Sequence, residues 1–188
     1  MHPSLTQSPA AWRITARQGL ALIAGVALLT LSAKIRIPLG PVPITLQTFA
    51  VLALATTLGP RLAVATMLAY LGAGAAGLPV FAGTPERGIG LAYMMGPTAG
   101  YLAGFLVATV VTSRAAEGRG LLGRTAAMLA GVAAIYGLGL SWLALYVPAD
   151  KLLAFGFTPF IIGDLVEAAL AAGLTLVVSR EAIARLMR

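Results

Sequence analysis

Two carboxylates, Asp164 and Glu167, stand three positions apart in PFIIGDLVEAALAAGLTLVV (159–178), a segment otherwise suited to hydrocarbon. On a helix that spacing puts both on one face. A charged side chain at the centre of a membrane helix costs about 2.5–3.5 kcal/mol on insertion scales, and one Leu offsets only about 0.5 kcal/mol of it. Residues that costly face a cavity or a partner, so the pair marks a candidate site for a small polar ligand. Arg87 lies in the Gly- and Pro-rich segment FAGTPERGIG (81–90), which reads as a turning connection rather than a strand or helix. Its guanidinium either forks onto a ligand carboxylate or pairs with Glu86 in water, and spacing leaves both open.

The composition sets the class that must position these groups. Hydrophobic residues make up 59% and charged residues 10% of the 188 positions, with a mean hydropathy of +0.93. An ordinary soluble domain carries roughly 25% charged residues. The chain is expected to be an all-α integral membrane protein, a single bundle over 1–188 with a polar tail at 1–14. There is no cysteine, which excludes disulfides and thiolate metal sites. A net charge of +7 would suit nucleic acid, but in a membrane protein basic residues gather in cytoplasmic loops instead. No nucleic-acid partner is therefore expected.

Catalysis finds little support. Neither lysine, Lys34 nor Lys151, sits in a phosphate-binding loop of the Walker type. The single histidine is His2, in the polar tail, so no Ser/His/Asp set can be assembled. Asp164 and Glu167 have no further catalytic apparatus beside them. Neither enzyme activity nor a cofactor is expected, and no metal site. The first apolar run, 19–31, shows no small-residue cleavage pattern of a signal peptide.

Six apolar segments approach the length needed to span a bilayer: 15–33, 44–59, 61–79, 97–113, 122–146 and 159–179. Six crossings with the N-terminus inside place Arg13, Arg17, Arg61, Arg114, Arg119, Arg124, Arg180, Arg185 and Arg188 in the cytoplasm. Lys34, Arg36, Arg87 and Lys151 then lie outside, accounting for all 13 basic residues. Nine against four favours N-in, C-in. Trp12, Trp142 and Tyr146 fall at the expected interfaces. Helices two, four and six then begin outside, at Pro43-Ile44-Thr45, Gly96-Pro97-Thr98 and Thr158-Pro159. Pro suits the first helical position and Thr or Gly a cap, and the three positive ends point toward the same side as Arg87 and Asp164. In the first helix Ala21 and Gly25 have small-xxx-small spacing, which serves either internal packing or an external partner.

Five blocks in order, PVPITLQTFAVL (41–52), LGPR (58–61), GLPVFAG (77–83), GPTAGY (96–101) and PFIIGDLVEAALA (159–171), resemble the BioY family. These are biotin-binding S components of energy-coupling factor transporters. The resemblance spans most of the chain and implies six membrane helices, a biotin site near the outer face, and residence as a multi-pass protein in a bacterial or archaeal cell membrane. It also implies a membrane coupling (T) subunit and ATPase (A) subunits as partners, with Ala21 and Gly25 on the contact face. One position departs: the family usually has Lys three residues after the Asp, where this chain has Glu167.

Biotin offers two ureido N–H donors, an apolar sulfur ring and a carboxylate tail. An ionised Asp164 only accepts, and so suits the N–H groups. Gln47 or Thr45 would serve the ureido carbonyl, and Tyr93, Tyr101, Phe81 and Trp142 the wall. The carboxylate would seek Arg87 or a helix N-terminus. Glu167 either donates in the place of the family Lys or points away toward another helix. Two other classes compete with capture by an S component. One is a stand-alone proton- or cation-coupled carrier using Asp164 or Glu167; the other is a scaffold in which the acids are only hydrogen-bond acceptors.

Overall fold

The structure is a computed structural model and describes residues 15–178. Trp12, Arg13, His2, Arg180, Arg185 and Arg188 lie outside the described residues. Helix α1 (Ala16–Lys34) starts on a capping box, in which Thr15 Oγ1 accepts from Gln18 N and Gln18 Oε1 from Thr15 N. A small antiparallel hairpin follows, β1 (Arg36–Ile37) and β2 (Ile44–Thr45), paired Arg36 with Thr45 and Ile37 with Ile44. It leads into α2 (Gln47–Leu58). The turn into α3 (Pro60–Ala75) uses Gly59 at φ +77°, a left-handed backbone suited to glycine, and Pro60 in the first helical turn. Then come α4 (Gly90–Met94), α5 (Ala99–Ala115) and α6 (Leu121–Leu143). A 3₁₀ turn (Ala149–Lys151), α7 (Leu152–Gly156) and α8 (Ile161–Val177) complete the described chain.

Each of the six predicted apolar segments contains one long helix. Among the described residues three stretches are long and apolar enough to cross a membrane by themselves: Ala16–Lys34, Leu121–Leu143 and Ala149–Val177. Helices α2 and α5 are apolar but shorter. The exterior carries exposed Leu20, Ile23, Leu31, Leu122, Ile162, Leu170 and Leu176, side chains that a bilayer accommodates.

The most extensive helix contact is between α5 and α6. A Cβ on Gly100 would lie 2.4 Å from Leu138 O, and one on Gly104 would lie 2.8 Å from Ile135 Cα. The Gly100-xxx-Gly104 face therefore lets the two backbones touch. That contact brings Tyr101 and Phe105 of α5 opposite Ile135 and Tyr136 of α6. Gly74 of α3 does similar work for Phe81, whose ring fills the space a Cβ would take.

The expected helix starts are corrected by the backbone, although Thr45 Oγ1 still accepts from Gln47 N. Helices α2, α5 and α8 start at Gln47, Ala99 and Ile161, and Leu46, Thr98 and Phe160 at the cap positions supply no side-chain cap. Pro43, Pro97 and Pro159 all precede the first helical residue. At α2 the cause is visible: Ile44 and Thr45 are drawn into β2, which delays the helix to Gln47.

Candidate functional site

The first turns of α2, α5 and α8 converge, together with β2 and the middle of α6, on one cavity of about 580 Å³ including its open mouth. Its wall contains Thr45, Gln47, Thr48, Tyr93, Thr98, Tyr101, Tyr136 and Asp164, with apolar surface from Val42, Ile44, Leu102, Phe105, Ile135 and Phe160. An apolar chamber with a few converging polar groups is what a small amphipathic ligand needs. Asp164 of α8 accepts from the Tyr136 hydroxyl of α6, and the Thr48 side chain of α2 also reaches it. Three helices thus meet at one carboxylate.

The other wall groups are held from behind. Gln47 Nε2 donates to Tyr70 Oη (2.9 Å), and Tyr70 in turn donates to Val80 O (3.3 Å). Thr45 Oγ1 accepts from Gln47 N (3.4 Å). The Tyr101 hydroxyl donates to Gly156 O (2.7 Å), and its ring occupies the space left by Gly139. Tyr93 accepts from Gly83 N (3.3 Å) and stacks on Phe81 with centroids 5.1 Å apart. Phe157 meets the Tyr136 ring edge-on at 4.9 Å.

Of the residues singled out from sequence, Asp164, Gln47, Thr45, Tyr93 and Tyr101 come together on this wall. Glu167, Arg87, Ala21 and Gly25 do not. Glu167 is buried, and its Oε2 accepts from the backbone N–H of Phe49 (2.8 Å). Arg87 forks onto two backbone carbonyls, Pro41 O (2.7 Å) and Gly40 O (2.8 Å). Its sequence neighbour Glu86 pairs instead with Arg36 (3.1 Å). A hydrogen bond from its own backbone, ahead of the Arg36 charge, holds the Glu86 carboxyl below the ordinary carboxylate range. Lys34 Nζ donates to Phe81 O, Thr84 O and Thr84 Oγ1. Three of the four basic residues assigned to the outer side therefore tie 81–87 to the end of α1 and the hairpin.

Gly25 is buried against α3, where a Cβ would lie 2.6 Å from Thr66 Cγ2. At that residue the small-residue spacing serves packing within the chain. Ala21, one turn earlier, is partly buried. Phe81 lies behind Tyr93 rather than on the wall, and Trp142 Nε1 donates to Gly96 O (3.0 Å). Among the described residues no group of His, Asp and Glu is placed to hold a metal ion.

The sequence singles out neither Tyr136 nor Thr48 as site residues, and Thr98 only as a helix cap. A tyrosine in the middle of an apolar 23-residue helix is the same kind of signal as Asp164. It is weaker because a hydroxyl is cheaper to bury than a charge.

A model of the BioY family matches residues 6–184. The chain belongs to the BioY family. It is 42% identical over 146 residues to a probable biotin transporter BioY of Pyrococcus horikoshii, covering 78% of this chain and 86% of the relative. It is 40% identical over 148 residues to the biotin transporter BioY of Thermotoga maritima, with the same coverage of 78% and 86%. Among solved structures, the S-component for biotin from an ECF-type ABC transporter superposes with a TM-score of 0.72 at 25% identity. The match covers 86% of this chain and 92% of that one. This BioY-family chain thus shares with that S component the fold that builds the cavity around Asp164.

Proposed function

We propose that this chain is the biotin-capturing subunit of an energy-coupling factor transporter, with the cavity around Asp164 as the biotin site. The observation that carries this reading is the position of Asp164. It is the one carboxylate on the wall of a chamber otherwise lined by apolar, hydroxyl and amide groups, in a chain whose relatives are biotin transporters. An ionised Asp164 accepts from the ureido N–H groups of biotin, which arrive as donors only. Gln47, Thr45, Thr48 and Tyr136 surround the ureido end. Tyr93, Tyr101, Phe105 and Phe160 enclose the sulfur ring and tail. Arg87 holds Gly40 and Pro41 in place, and with them the neighbouring wall residues Val42 and Pro43.

The chain crosses the bacterial or archaeal cell membrane six times, N-in and C-in, so that the cavity end faces outward. The nine-to-four distribution of basic residues supports that orientation. Transport requires a membrane coupling subunit and ATPase subunits, since the sequence has no phosphate-binding loop of its own. The chain is a transport subunit and not an enzyme.

The reading is tested in proteoliposomes. The chain alone should bind biotin without accumulating it, and ATP-driven accumulation should appear only with coupling and ATPase subunits present. Accumulation by the chain alone, driven by a proton gradient, would instead make it a stand-alone carrier.

A further inference from the structure

We infer that Glu167 is a positioning residue, which caps helix α2 from across the bundle and thereby fixes Gln47 and Thr48 in the cavity wall. The inference rests on reading that cavity as the biotin site.

A helix begins with backbone N–H groups that lack a partner within the helix. In water such groups are solvated; inside an apolar bundle each one left bare is costly. The N-cap residue of α2 is Leu46, whose side chain has nothing to offer. Thr45 Oγ1 takes the Gln47 N–H, the first of the helix. The Phe49 N–H, two residues further on, is taken by Glu167 Oε2 at 2.8 Å, from a residue 118 positions away on α8. The Glu167 side chain is 7% exposed and does not line the cavity. It therefore acts on α2 and not on the ligand.

The consequence for the site follows from adjacency. Gln47 and Thr48, the two residues immediately before Phe49, are both on the wall, and Thr48 reaches Asp164. Asp164 lies one helical turn before Glu167 on the same face of α8. One turn of α8 thus supplies both the ligand acceptor and the clamp that holds the opposing wall at a fixed distance from it.

Biotin titration and an amide signal test the inference together. The purified protein is labelled with ¹⁵N-phenylalanine, which marks six backbone amides, and the Phe49 signal is assigned by its loss in Phe49→Leu. Glu167→Gln keeps an acceptor oxygen and should retain the Phe49 signal position within a small shift and most of the biotin affinity. Glu167→Met and Glu167→Lys remove the acceptor. Both should move the Phe49 amide upfield, speed its hydrogen exchange, and weaken biotin binding by about 10- to 100-fold. Glu167→Asp, which retains charge but withdraws the carboxylate by one methylene, should fall between and carries the same reading if the Met variant aggregates. A Phe49 amide unchanged in Met and Lys would overturn the cap. An altered amide with unchanged affinity would overturn the positioning role, as would full binding by Lys. The amide readout needs no ligand, so a wild-type protein that fails to bind biotin sinks the site assignment while the cap is still decided.

Discussion

The Tyr136 hydroxyl of α6 donates to Asp164 Oδ2 of α8, joining residues 28 positions apart on the wall of one cavity. The bond aims the carboxylate along the wall. Tyr136 orients the acceptor without replacing it, so only part of the bond's worth reaches the ligand, and Tyr136→Phe should weaken biotin binding by roughly 2- to 12-fold, about 0.5–1.5 kcal/mol. The effect should be smaller than that of replacing Asp164 itself. Tighter binding by the Phe variant would show that Tyr136 competes with the ligand instead of orienting its acceptor.

The α5–α6 contact sets the width of the chamber. Replacing Gly104 with Val drives a branched side chain against Ile135, whose Cα lies 2.8 Å from the position of even a bare Cβ. Overpacking of that kind costs about 1–3 kcal/mol, equivalent to a melting point lower by roughly 2–12 °C for a chain of this size. Differential scanning fluorimetry in detergent reads the shift. An unchanged midpoint would mean that the helices are not in backbone contact there.

Much of this arrangement was legible beforehand. The six apolar segments located the long helices, because hydropathy over about 20 residues is a strong signal, and Asp164 stood out because an acid in hydrocarbon has to be explained. What could not be read was which partner each polar group chooses. Spacing leaves Arg87 open to a ligand carboxylate or to Glu86; in the fold it takes the carbonyls of Gly40 and Pro41, brought near by a hairpin too short to register in the sequence pattern. Thr45 still takes the first N–H of α2, but from a strand and not from the cap position, and Thr98 makes no cap, since the strand pairing and the backbone entry angle fix where a helix starts. Gly25 and the Gly100-xxx-Gly104 pair carry identical spacing signals. Periodicity alone does not say whether the facing helix belongs to the same chain.

The orientation has a direct chemical test, since native cysteine is absent. Ala149→Cys and Gly120→Cys both replace exposed residues, the first in the 3₁₀ turn that follows α6 and the second just before α6. An impermeant thiol reagent added to intact cells should label the first and reach the second only after permeabilisation. The opposite pattern would invert the topology.

The Arg36–Glu86 pair links 81–87 to the hairpin from an exposed position, so its contribution is small and salt-sensitive. Glu86 has a lowered carboxyl pKa in the folded chain, below the reference of 4.5. Its contribution is therefore fully present above that reference and lost as pH falls through the lowered value. The melting-point difference between wild type and Glu86→Gln should be flat from about pH 6 to 8 and close only on strong acidification. A difference that changes near neutrality would assign the titration to another group.

Calorimetric titration of biotin onto the purified wild-type chain and Asp164→Asn tests the central claim most directly. Asn keeps one acceptor but loses the charge and adds competing donors. A charged hydrogen bond contributes about 1.5–3 kcal/mol, so the account predicts saturable one-to-one binding to wild type and an affinity lower by roughly 10- to 100-fold in the variant. Equal affinity of the two proteins, or no binding to wild type, would contradict it.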